Sequence, residues 1–98
     1  MILEFRMAIF LVLALKDESR AKIEEAIKAK FPDEHYEIAD DKWFVNVENL
    51  TARQLAERVG IIGGDPVRGL VVSVASYSGR AQPDMWEWLA AKFSKANA

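Results

Sequence analysis

Nine consecutive apolar residues, Met7–Leu15 (MAIFLVLAL), constrain the fold of this chain more than any other stretch. Alternation puts Ile9, Leu11, Leu13 and Leu15 on one side and Ala8, Phe10, Val12 and Ala14 on the other. A strand apolar on both faces belongs at the centre of a sheet covered on both sides. Arg6 precedes the run, as in a secretory leader, but Lys16, Asp17 and Glu18 follow it directly and no small-residue cleavage site separates them. The run is also far short of the ~20 residues that cross a bilayer. A buried strand is therefore expected, with no membrane partner. Met7 is an alternative start, which would leave Met1–Arg6 as a poorly ordered extension.

The chain has 98 residues, 51% of them hydrophobic and 29% charged, enough for one domain (1–98) with a core of its own. Its formal charge of −2 supplies no global basic field for nucleic acid or an anionic membrane. Cysteine is absent, which excludes disulfides, thiol nucleophiles and Cys-ligated metals and fits a reducing, cytoplasmic compartment. A single histidine cannot build a multi-His metal site. No cofactor is expected.

Asp17 is placed to cap a helix running to about Phe31, with Ile23, Ile27 and Phe31 recurring every four residues beside Ala26. Pro32-Asp33 ends it. His35–Ala39 and Lys42–Glu48 read as a hairpin turning at Asp40-Asp41. Thr51 and Gln54 form a capping box for a short helix to about Val59, Leu50 and Leu55 a hydrophobic staple, and Gly60 its left-handed C-cap. Leu70–Tyr77 is a further strand, with Leu70, Val72 and Val74 on one face. Pro83 and Asp84 open a last helix to about Lys95. The expected order is an α+β, ferredoxin-like βαββαβ unit with an additional C-terminal helix. Its first and third strands are central and its first two helices share one face. The expected core joins Leu11, Leu13, Val72, Trp43, Val45, Ile23, Ile27 and Leu55. Phe10, Val12, Phe44 and Tyr77 fall on the open sheet face.

Chemistry has few carriers. Gly60, Gly63, Gly64 and Gly69 are not followed by Gly-Lys-Ser/Thr or directly by a helix, so they read as a cap and turns rather than a phosphate loop. His35 is the single general-base candidate near neutral pH, with Glu37 two residues on. Asp40, Asp41 and Glu48 form an acidic cluster at a strand edge, and Asp17 is a further metal-ligand candidate, but the two adjacent aspartates serve the turn and a helix-cap role already explains Asp17, so no metal is expected. Arg68 and Arg80, with Arg53, are the nucleic-acid candidates, beside Tyr77 or Trp86 as stacking platforms. In the last helix, Met85, Trp86, Leu89 and Phe93 form one stripe; Trp88 lies off it, which points to a partner or to the opposite sheet face.

Asp41-Lys42-Trp43-Phe44-Val45, Leu50-Thr51-Ala52-Arg53-Gln54-Leu55 and Gly69-Leu70-Val71-Val72-Ser73-Val74 together resemble the small bacterial proteins of the SinR family. Those are similar in fold to small CRISPR-associated ferredoxin-like proteins that dimerise and in some cases cut nucleic acid. The resemblance implies a ferredoxin-like protomer and a homodimer. The CRISPR-associated proteins carry a metal-binding aspartate at the end of the first strand. Here that strand ends Ala14-Leu15-Lys16-Asp17, with Asp17 displaced toward the helix, which argues against a nuclease.

Three functional readings follow. The first is a non-catalytic homodimeric interaction module using Phe10, Val12, Phe44, Tyr77, Trp86 and Trp88. The second is a dimeric α+β-barrel enzyme with an apolar pocket and His35 as base. The third is a nucleic-acid-binding protein using Arg68 and Arg80.

Overall fold

A computed structural model describes residues 7–63 and 67–96. The Met1–Arg6 extension and Gly64 lie outside the described residues. The elements are β1 (Met7–Ala14), α1 (Asp17–Lys30), β2 (His35–Ala39), β3 (Lys42–Glu48), α2 (Ala52–Arg58), β4 (Gly69–Ser73) and α3 (Pro83–Ala96). Among the described residues the fold is α+β: a four-stranded antiparallel sheet in the order β2-β3-β1-β4, and three helices. The order is compatible with a ferredoxin-like arrangement, and β1 and β3 hold its centre. No helix among the described residues is long and apolar enough to cross a membrane.

Register decides which face each strand residue takes, because residues directly opposite one another share a face. Val12 lies opposite Trp43 and Val71, and Phe10 opposite Val45. These side chains join Ile23 and Ile27 of α1, Leu55 of α2 and Val59 at its C-terminal cap in one buried core. Phe10 and Val12 are thus 3% and 0% exposed rather than on an open face. Leu11, Leu13 and Val72, expected in this core, stand on the other face. Leu11 lies opposite Phe44 and Val72, and Leu13 opposite Lys42 and Leu70. The physical reason is the double-sided apolar character of β1. Either phase satisfies its own pattern, and only the partner β3, with Trp43, Val45 and Val47 buried together, selects one.

Local signals act as their chemistry dictates in α2. The Gln54 amide donates to Thr51 Oγ1 (3.1 Å), and the Thr51 amide donates back to Gln54 Oε1 (2.8 Å). Gly60 follows at φ 85°, which a residue with Cβ adopts at a cost. The start of α1 differs from expectation. Lys16 occupies the N-cap position with no side-chain bond, and Asp17 is the first helical residue, where its charge favours the N-terminal dipole. Ser19 Oγ, buried, accepts from the Arg68 amide at 2.8 Å and ties α1 to the approach of β4. Gly69 opens β4 under Ile61; a Cβ there would sit 2.7 Å from Ile61 Cδ1 and 2.8 Å from the Leu13 carbonyl oxygen.

β4 is shorter than the expected Leu70–Tyr77. Val74 still donates to the Ile9 carbonyl (2.9 Å), but beyond it the chain leaves the sheet. That departure carries Tyr77 to α3, where its ring meets Trp86 and Phe93 with centroids at 5.5 and 4.9 Å.

Candidate interaction surface

The face of the sheet away from α1 and α2 is only half covered. α3 lies across it over β1 and β2, with Leu89 and Ile9 buried beneath. Asp84, Trp88 and Lys92, one helical row at four-residue spacing, fasten it. Asp84 Oδ2 accepts from the Tyr36 hydroxyl at 2.8 Å. Trp88 meets Phe44 (6.2 Å, stacked) and Tyr36 (6.1 Å). Lys92 pairs with Glu34 at 2.9 Å and lies 6.0 Å from the Trp88 ring centroid. Glu34 Oε2 also accepts from Asn46 Nδ2 (3.0 Å), and the Asn46 amide donates to the Glu34 carbonyl (2.8 Å). This row was not legible as a row: Trp88 stood out, but the expected stripe ran through Met85, Trp86, Leu89 and Phe93. The available signal for its lower end was Asn46, a polar residue between two buried valines.

Burial raises the Tyr36 pKa above its ordinary 10.0, and the hydrogen bond to the Asp84 carboxylate and that group's negative charge raise it further. The folded chain therefore holds this proton more tightly than the unfolded chain. The stabilisation is complete below pH 10 and is lost as pH rises through the raised folded value. In a Tyr77→Phe background, the absorbance titration of Tyr36 is expected above the ordinary tyrosine range. Asp84→Asn should move it back down; an unmoved midpoint would show that the contact does not hold the proton.

Beyond α3, the β4 side of this face is open. Leu70 and Val72 are 48% and 41% exposed, beside the half-buried Leu11 and Leu13 of β1. Leu15, one residue past β1, is 60% exposed. β4 also ends the strand order, so among the described residues no strand pairs with its outer side.

No protein-family model, curated protein or solved structure matches the chain.

The other candidates are dispersed. His35 Nδ1 lies 2.6 Å from the Phe31 carbonyl oxygen; that oxygen can only accept, so Nδ1 donates and the ring closes the end of α1. Glu37 shares its sheet face but turns toward Arg20, Glu24 and Asp40. Asp17 edges a shallow depression with Lys16, Glu18, Arg20 and Asp41; Arg20 lies 3.6 Å from Asp40, and Asp41 pairs with Lys42 at 2.9 Å. Among the described residues no three His, Asp or Glu side chains gather as a metal set. Arg68 stands just before β4 and Arg80, exposed, in the segment leading to α3; Arg53 pairs with Glu57 along α2. A groove of about 230 Å³ between α1 and α2 is lined by Lys22, Lys30, Arg58 and Val67. Phe44, Trp86, Trp88 and Tyr77, expected at an interface, all make ring contacts with or around α3.

Proposed function

We propose that the chain is a ferredoxin-like interaction module, cytoplasmic and without catalysis of its own, that works as a homodimer. One observation carries this reading: α3 leaves Leu70 and Val72 exposed on a strand with no charged residue. Two neighbouring apolar side chains left bare at the end of a sheet mark a contact surface. The polar groups support it from the other side. His35 is engaged with Phe31, Lys92 with Glu34 and Arg20 with Asp40.

Leu70 and Val72 have roughly half their surface still to bury, worth about 1 kcal/mol each, or ~4 kcal/mol over two copies. That reaches the lower end of the ~4–15 kcal/mol cost of association, so a concentration-dependent dimer is expected. Light scattering behind size exclusion should give about twice the 11.1 kDa chain mass, falling toward one chain on dilution. Leu70→Lys with Val72→Lys should give a folded monomer at all concentrations. A wild-type chain that stays at 11.1 kDa into the near-millimolar range would falsify the proposal.

A further inference from the structure

We infer that two copies join edge to edge through β4, antiparallel about a twofold axis at Val71, making one continuous eight-stranded sheet. The inference rests on the self-association proposed above and names its geometry.

The hydrogen bonds that flank β4 set which groups are free. Val74 donates to the Ile9 carbonyl oxygen, and Leu15 donates to the Arg68 carbonyl oxygen. In the same register, positions 68, 70, 72 and 74 point their backbone groups at β1. Gly69, Val71 and Ser73 therefore turn their N–H and C=O groups outward, away from the sheet. A twofold at Val71 pairs Val71 with its own copy and Gly69 with the partner's Ser73. All three outward residues of each copy then bond. A shift of the axis to Leu70 or Val72 leaves one of the three beyond the partner's outward set. The Val71-centred register is the one that uses the whole strand.

The same register serves the side chains. Between the bonded pairs, Leu70 falls opposite the partner's Val72 in the non-hydrogen-bonded position, where side chains approach most closely. These are the two exposed apolar residues of β4. Arg68 falls opposite the partner's Val74, so the pairing brings no like charges together.

The two ends of the sheet are unlike. β2 carries Glu37 and a register irregularity between Glu37 and Ala39, both of which discourage strand addition. Its face is also occupied by the Tyr36 and Trp88 contact. β4 is GLVVS, without charge, proline or bulge, and its register with β1 is unbroken. An edge left this bare is a template for another strand, and its matching parity and side chains make a second copy the occupant. Five residues span only about 17 Å, short of a standard interface, which fits an exchange that follows concentration.

Amide exchange read residue by residue by NMR, from micromolar to near-millimolar chain, tests this. Val71 and Ser73 amides should slow with concentration, while Leu70 and Val72, already bonded to β1, should not change. Ser73→Pro removes an outward donor that the sheet itself does not use, so it should keep the fold and abolish the dimer. In a chain without native cysteine, Leu70→Cys mixed with Val72→Cys should oxidise to the mixed disulfide ahead of either homodimer. A dimer whose Val71 and Ser73 amides stay fast, that survives Ser73→Pro, or that favours Leu70–Leu70 cross-links overturns the strand pairing and leaves self-association standing. A chain monomeric throughout overturns both.

Discussion

Val12→Asp is expected to leave the chain unfolded at 25 °C, whereas Leu13→Thr, its neighbour, folds. Val12 is wholly buried among Phe10, Trp43 and Val71, with α1 and α2 above them. Nothing in that core can pair with a carboxylate. An uncompensated buried charge costs several kcal/mol, which consumes most of the ~5–15 kcal/mol that holds a domain folded. Leu13 points to the other face, half-buried between Lys42 and Leu70. Its replacement should cost about 1–2 kcal/mol, within the common range for single substitutions. Urea unfolding followed by circular dichroism reads both. A folded Val12→Asp beside an unfolded Leu13→Thr would mean that β1 presents its opposite face to α1 and α2.

Leu89→Asp should detach α3 without unfolding the rest. Leu89 is the buried centre of that helix, with Trp88 and Lys92 on one flank and Trp86 and Phe93 on the other. A free helix of 14 residues is marginal in water. The helical signal should fall by roughly two fifths, the share of helical residues in α3 among those described. Trp86 and Trp88 should emit to the red as they enter water, while Trp43 stays in the core. Ile9 and Phe44 become accessible, so binding of a hydrophobic dye should rise several-fold. An unchanged far-ultraviolet spectrum with no dye binding would show that Leu89 does not hold the helix down.

How far the sequence could be read depends on the range of the interaction that decides each feature. The Thr51–Gln54 box, Gly60 and the Ile23, Ile27 stripe are settled within one or two turns, and these residues act as their local chemistry dictates. The central place of β1 also followed, because a double-sided apolar strand has only a central place to go. The phase of β1 was not legible. Its residues satisfy both faces, and the choice is made thirty residues away by Trp43 and Val45. The error passed directly to the surface: Phe10 and Val12 stood for the interface, and Val72, which is exposed, stood for the core. The departure of the chain after Ser73 was hidden for a related reason. Val74–Tyr77 keeps a strand-like pattern, and the attraction of Tyr77 to Trp86 and Phe93 on α3 is long-range.

The order of elements along the chain has a consequence during synthesis. α3 is the last described element, yet it covers a face whose β1, β2 and β3 residues are made long before it. At about 5–20 residues per second, α3 is synthesised on the order of a few seconds after β4. A chain that lacks α3 can still pair its sheet and close its α1–α2 core, and it leaves Ile9 and Phe44 bare beside Leu70 and Val72. The species most prone to stick to other chains is then one that has its sheet but not yet α3, and its hazard ends when Trp88 and Leu89 dock. A chain truncated just before Pro83 should be a better client for a hydrophobic-binding chaperone than the chain that carries α3.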